Sequence, residues 1–171
     1  MSNIVYRKIK ASDNIEIAAV IRAVLAEHGL GIPGTVFTDP TTDELFETFN
    51  VDKAEYWVVE VDDVIVGGSG LYPTSGLDDD CTELVKLYLL NACRGLGIGK
   101  ELMRIVIEEA GNLGYNKVYL ESLPELSEAI GLYNHMGFKM LDHSLGDSGH
   151  FACRVWMLKN LKTRKKNENI Y

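Results

Sequence analysis

The chain has 171 residues, 46% of them hydrophobic, which is one domain's length and enough to bury a sizeable core. Its formal net charge of −8 argues against nucleic acid, whose phosphates need a basic face, and leaves open either plain solubility or attraction of a cationic substrate. No stretch approaches the roughly 18 to 20 unbroken apolar residues of a membrane span, "MSNIVYRKIK" lacks the apolar centre of a signal peptide, and the three scattered cysteines (Cys81, Cys93, Cys153) do not form a disulfide framework, so a reducing cytoplasm is expected.

In chain order, "IVYRKI" alternates enough to be a first strand. "SDNIEIAAVIRAVLAEHG" reads as a helix, with Asp13 and Glu16 as a capping box, Ile15, Ala18, Ala19 and Leu25 on one face, and Gly29 at its end. Residues 28–41 hold three glycines and two prolines and fit neither the helix nor the strand period. A short helix is expected around "DELFETF". "EYWVVEV" and "VIVGGSGLY" read as strands joined by a tight turn at Asp62 and Asp63. Gly67, Gly68 and Gly70 imply a bend or a close backbone approach in the second of these. "CTELVKLYLL" is a strand, and "GKELMRIVIEEAGNLG" is a helix with Leu102, Ile105, Val106 and Leu113 inside and Glu101, Arg104 and Glu108 paired outside. "NKVYLES" is a strand, and "PELSEAIGLYNHMG" is a helix with Pro124 near its start and Gly137 past its end. "FKML" and "HFACRVWML" close the pattern as strands, Phe151, Val155 and Met157 on one side of the last and Trp156 and Leu158 on the other. The order β-α-α-β-β-β-α-β-α-β-β predicts one α/β domain over residues 1–160, with a mixed central sheet flanked by helices and a basic, flexible tail over 161–171.

The chemistry concentrates in "CRGLGIGK", residues 93–100. A nucleotide P-loop needs four residues between its first glycine and the Gly-Lys pair, then Ser or Thr; here three separate Gly95 from Gly99, and Glu101 follows Lys100. The dinucleotide fingerprint needs Gly-x-Gly-x-x-Gly, whereas Gly95, Gly97 and Gly99 are spaced Gly-x-Gly-x-Gly. What fits is strand, Arg-x-x-Gly-x-Gly, helix. Glycines without Cβ let a diphosphate approach the backbone, and the unpaired N–H groups of a helix start attract it. Arg94 and Lys100 add positive charge.

With "RGLGIG" followed about thirty residues later by "AIGLYNHMGF", the segment from about Glu83 to Leu141 resembles the Gcn5-related (GNAT) N-acetyltransferase superfamily. The resemblance implies that residues Arg94, Gly95, Leu96, Gly97, Ile98, Gly99 and Lys100 hold the pyrophosphate of acetyl-CoA. It implies a bulged strand near Leu87 to Leu89 that splays from the strand holding Tyr119 and takes the pantetheine arm in the gap, with the Leu89 N–H polarising the thioester carbonyl. Tyr133 matches the family tyrosine that faces the coenzyme sulfur and is the candidate acid, although helical spacing with Leu126, Ala129 and Ile130 also makes it a core residue. Glu83 occupies the place of a glutamate that acts as base in the histone-acetylating branch; it reads equally as a solvated strand-end carboxylate or a binder of a cationic substrate. Many members carry asparagine where this chain has Leu126, and "NAC" (Asn91 to Cys93) replaces a proline-containing turn.

His150 and Cys153, three apart in the expected last strand, fall on opposite faces, poor geometry for a metal, and no metal is expected. Cys153 reads as a core cysteine, and His150 as a residue able to approach the acceptor. Asp78 to Asp80 form a solvated turn or a cation-attracting rim. The 28–41 loop is the expected acceptor lid, with Phe37 as a wall. The expected activity is transfer of an acetyl group to a primary amine, on a small molecule or a peptide, by direct attack. The alternatives are a non-catalytic acyl-CoA sensor or a transferase of another acyl group, and a homodimer is the family-level expectation. The acceptor itself is not written in the chain.

Overall fold

A computed structural model describes residues 2–161. The elements follow the expected order: β1 (Ile4–Lys8), α1 (Asn14–Glu27), α2 (Leu45–Phe49), β2 (Glu55–Val61), β3 (Val64–Tyr72), β4 (Cys81–Leu89), α3 (Ile98–Asn112), β5 (Lys117–Ser122), α4 (Ser127–His135), β6 (Lys139–Leu141) and β7 (Val155–Asn160). One sheet runs β1-β2-β3-β4-β5-β7-β6, antiparallel except for β4 and β5. Leu161 donates its N–H to the Asn116 carbonyl at 2.8 Å, so the domain reaches that residue; the rest of the expected tail lies outside the described residues.

Each central strand sends alternate side chains to opposite faces. Val59, Val66, Leu84, Val118 and Met157 meet Leu102, Met103 and Val106 of α3 and Tyr133 of α4 on one face. Tyr56, Val58, Ile65 and Tyr88 meet Ile17, Ile21 and Leu25 of α1 and Leu45 and Phe49 of α2 on the other. The β3 glycines serve this packing: a Cβ on Gly68 would come within 2.6 Å of the Tyr56 ring, and one on Gly70 within 2.6 Å of the Phe49 ring. Asp62 and Asp63 both take positive φ, 51° and 65°, as a two-residue hairpin turn requires.

Several local expectations are corrected. Ile15 is 87% exposed and Ala19 also faces solvent; the buried side of α1 is Ile17, Ala18, Ile21, Val24 and Leu25. Asp13 makes no capping bond to α1. Its carboxylate takes the Arg7 guanidinium at 2.7 Å and the Lys10 N–H, while Glu16 accepts from the Ile65 N–H of β3. Tertiary partners thus override a capping box that was complete in sequence. Pro124 precedes the first residue of α4 by three positions. The last strand starts only at Val155, because Phe151 and Ala152 form a turn and 153–154 take no regular structure, and Phe151 is 82% exposed.

Two irregularities of β4 break the regular ladder. Gly68 pairs with Tyr88 and Gly70 with Val85, so Ser69 opposes both Lys86 and Leu87, and Lys86 takes φ 53°. This is a β-bulge. Already before it β4 leaves β5, for the two pair only at Cys81–Lys117, Thr82–Val118 and Glu83–Tyr119.

Candidate active site

A groove of about 300 Å³ opens where β4 has separated from β5. Its floor is Leu87, Tyr88 and Leu89; one wall is Arg94, Gly95, Gly97, Gly99 and Lys100; the others are Val24 and His28 at the end of α1 and Leu126, Glu128, Ala129 and Leu132 along α4. The ladder fixes how the floor presents itself. The Leu90 N–H bonds to the Val66 carbonyl, so by alternation the backbone groups of Leu89 and Leu87 turn away from β3 and toward the gap.

At the groove's upper end the first bond inside α3 is from the Glu101 N–H to the Gly97 carbonyl. The N–H groups of Ile98, Gly99 and Lys100 therefore precede the helix ladder and are open to an anion. Gly95 and Gly97 have φ of 74° and 81°, and a Cβ on either would meet nothing within 4 Å. Packing does not demand these glycines; backbone conformation and free space above the loop do. Asn91–Cys93 form a single 3₁₀ turn, so the missing proline leaves the loop intact. The side chains of Leu96 and Ile98 stay out of the groove, so the loop can serve it there only through backbone: Leu96 stands 69% exposed and Ile98 is buried in the core. The Arg94 guanidinium is held by Glu27 at 2.8 Å, and its Nε caps the Leu89 carbonyl at 3.0 Å. Lys100 has no such partner among the described residues.

A second, smaller pocket of about 40 Å³ adjoins this groove and shares Leu87, Tyr88 and Leu126 with it. Glu83, Tyr133, Glu121, His150, Cys153, Thr35, Val36 and Lys86 line it. Glu83 is only 3% exposed, so the solvated reading falls. Burial raises its carboxyl to about 7, helped by the charge of Glu121 and opposed by a hydrogen bond from the Thr74 hydroxyl and by His150 and Lys86. The Tyr133 hydroxyl has no hydrogen-bond partner among the described residues, and burial raises its pKa far above the usual phenol range. It is a neutral donor at any physiological pH. Burial likewise pushes the Cys153 thiol up to about 12, which keeps it protonated and unsuited to carry an acyl group.

His150 and Cys153 line one pocket; the expectation of opposite faces fails because neither lies in a strand. The 28–41 segment does form a wall, but through Thr35 and Val36; Phe37 packs instead beside the α1 core. Sequence reasoning missed the group that holds this corner together. The Asp39 carboxylate takes the Lys86 ammonium at 3.0 Å and His150 Nε2 at 3.0 Å, and its other oxygen accepts from the Thr41 N–H and hydroxyl. These contacts hold the Asp39 carboxyl well below the usual carboxylate range even though burial opposes them. Partners 47 and 111 residues away leave no local signal. Lys117 bridges Asp78 and Asp80, which makes that acidic stretch a closed ion-pair cluster.

This architecture defines a class as well as a site: a mixed sheet split at a β4 bulge, with a glycine-rich helix start beside the split. The family model for the acetyltransferase (GNAT) family matches residues 23–138, and the chain belongs to that family. It is 43% identical over 158 residues to an uncharacterized N-acetyltransferase of Escherichia coli strain K12, YjgM, covering 92% of this chain and 95% of that protein. Among solved structures, a GNAT-family acetyltransferase of Staphylococcus aureus MU50 superposes with a TM-score of 0.83 at 21% identity, covering 94% of this chain and all of that one. The structure of yncA of Salmonella typhimurium with its cofactor acetyl-CoA superposes with a TM-score of 0.74 at 17% identity, covering 98% of this chain and 99% of that one.

Proposed function

We propose that this acetyltransferase moves the acetyl group of acetyl-CoA onto a primary amine by direct attack, with no covalent enzyme intermediate. The observation that carries the reading is the shared wall of Leu87, Tyr88 and Leu126, which brings a groove with an anion-binding helix start against a pocket holding Glu83 and Tyr133. The open N–H groups of α3 and Lys100 take the pyrophosphate, and the Leu87 groups turned into the gap take the pantetheine arm. The Leu89 N–H donates to the thioester oxygen, where a positioned donor is worth most. Glu83, poised near neutrality, removes a proton from the attacking amine, and the Tyr133 hydroxyl donates to the departing sulfur. Arg94 serves the loop by fixing it to Leu89 and Glu27 rather than by meeting phosphate.

No helix among the described residues is long and apolar enough to cross a membrane. Together with three free cysteines, this supports work in a reducing cytoplasm. The test is release of free CoA from acetyl-CoA across a library of amines. Turnover with at least one amine, abolished by Glu83→Gln, supports the reading; coenzyme binding without turnover of any amine overturns it.

A further inference from the structure

Direct transfer leaves the amine unspecified, and the charges around the small pocket narrow it. Two carboxylates, Glu83 and Glu121, line the cavity, and both are held by hydroxyl groups: Glu83 by Thr74, Glu121 by Tyr119 at 2.8 Å and Ser148 at 2.7 Å. Hydroxyl donors orient a carboxylate without cancelling its charge. The Lys86 ammonium of the same wall is already matched by the Asp39 carboxylate at 3.0 Å, which also takes His150 Nε2 at 3.0 Å. A net negative field therefore remains inside the cavity. The unpartnered hydroxyl of Tyr133, on a residue 5% exposed, lines the same space and waits for a ligand atom.

Size adds a second restriction. A cavity of about 40 Å³ is a few times the roughly 10–15 Å³ that one water molecule needs, which suits the narrow end of a chain better than a branched centre. Val36, Leu123 and Leu126 give its remaining wall an apolar surface that suits methylene groups.

We propose, resting on the transfer reading, that the acceptor is the ammonium end of an unbranched aliphatic chain with no carboxylate on the amine-bearing carbon, and that Glu121 with Glu83 sets this choice. A free α-amino acid brings its own carboxylate against these two and is rejected. Lysyl side chains and free aliphatic diamines share the favoured chemistry.

Glycine and propylamine make the sharpest pair, because they present the same aminomethyl end and differ in the carboxylate. The expected kcat/KM for propylamine exceeds that for glycine by about tenfold or more, the scale of one like-charge contact in a partly solvated site. Equal rates, or a preference for glycine, overturn the proposal. Cadaverine and N-α-acetyl-lysine amide separate the two sources: each is expected to exceed glycine, and whichever is faster names the source.

Glu121→Gln is expected to narrow the propylamine-to-glycine ratio about tenfold. Ser148→Ala removes one donor and keeps the charge, so the ratio is expected to hold within about twofold. If Ser148→Ala collapses the ratio while Glu121→Gln leaves it intact, loop anchoring sets selectivity and the proposal falls. Calorimetric titration of propylamine and glycine into the CoA-loaded protein keeps this test apart from the transfer reading. Preference in binding without turnover supports the selectivity and removes the transfer; turnover without preference does the reverse.

Discussion

The loop from Arg94 to Lys100 is one run of chain that offers backbone N–H groups at a helix start. The pocket around Glu83 draws on Thr35, Glu83, Glu121, Tyr133 and His150 from five separate segments, and it works through side chains. The two sites share a wall, yet the first is a local property of a short sequence and the second exists only once the sheet has closed. A local site tolerates changes elsewhere, because its conformation is set by its own glycines. An assembled site is as accurate as the contacts that bring its parts together, here the Asp39 ion pairs and the hydroxyl bonds to Glu121.

Four substitutions probe this contrast, beginning with the largest effect. Glu83→Gln is expected to lower kcat by roughly 10²- to 10⁴-fold, the worth of a positioned base. In the unsubstituted enzyme the rate rises with pH through about 7 and then levels, as the carboxyl loses its proton; the variant has no such limb. The same residue gives a stability test of known sign. Its folded pKa is raised, so its contribution to stability is present at low pH and lost as pH rises through about 7. At pH 8 the Gln variant should be the more stable of the two, by about 3 kcal/mol in urea unfolding. A Gln variant that is both inactive and less stable at that pH would break the link between burial and basicity.

Tyr133→Phe comes next: kcat is expected to fall roughly a hundredfold while the Kd for acetyl-CoA stays within about twofold, measured by stopped-flow and calorimetry. Asp39→Asn then tests assembly. It leaves the buried Lys86 ammonium without its carboxylate, at a cost of about 3 kcal/mol in unfolding free energy. The acceptor KM should rise about tenfold and the coenzyme KM far less, since only one site depends on Asp39. Gly97→Ala is the local counterpart. A Cβ at φ 81° costs about 1 kcal/mol and intrudes above the loop, so the coenzyme KM should rise about fivefold with acceptor selectivity unchanged. If Asp39→Asn harmed the coenzyme KM as much as the acceptor KM, the two sites would be one mechanical unit.

The same contrast explains what was legible in the sequence. The order of all eleven elements, the bounds of β2 and β3, and the glycine loop follow from periodicity and turn chemistry, which are short-range signals. Glu83 and Tyr133 could be named only because a resemblance pointed to them; their burial in one pocket was not deducible from spacing. Asp39 and Glu121 gave no sign at all, because what makes them matter is a partner far along the chain. The strand expected from His150 failed for a related reason. Its alternation is real, but the backbone there turns to deliver His150 and Cys153 to the pocket, and Phe151 is left outside over Gly34. The capping box at Asp13 failed because its carboxylate turns back to the Arg7 guanidinium and the Lys10 N–H rather than forward to α1.

The parting of β4 from β5 has a further consequence. It leaves two strand edges facing each other in the middle of the sheet, and unpaired edges ordinarily invite other chains to add on and aggregate. Here the edges are recessed between α4, the end of α1 and the glycine loop, with Arg94 plugging the Leu89 carbonyl at the open end. The domain thus carries an unfinished sheet whose open edge is screened by its own helices and loop, which is how it can keep a strand-sized gap without offering it to other chains.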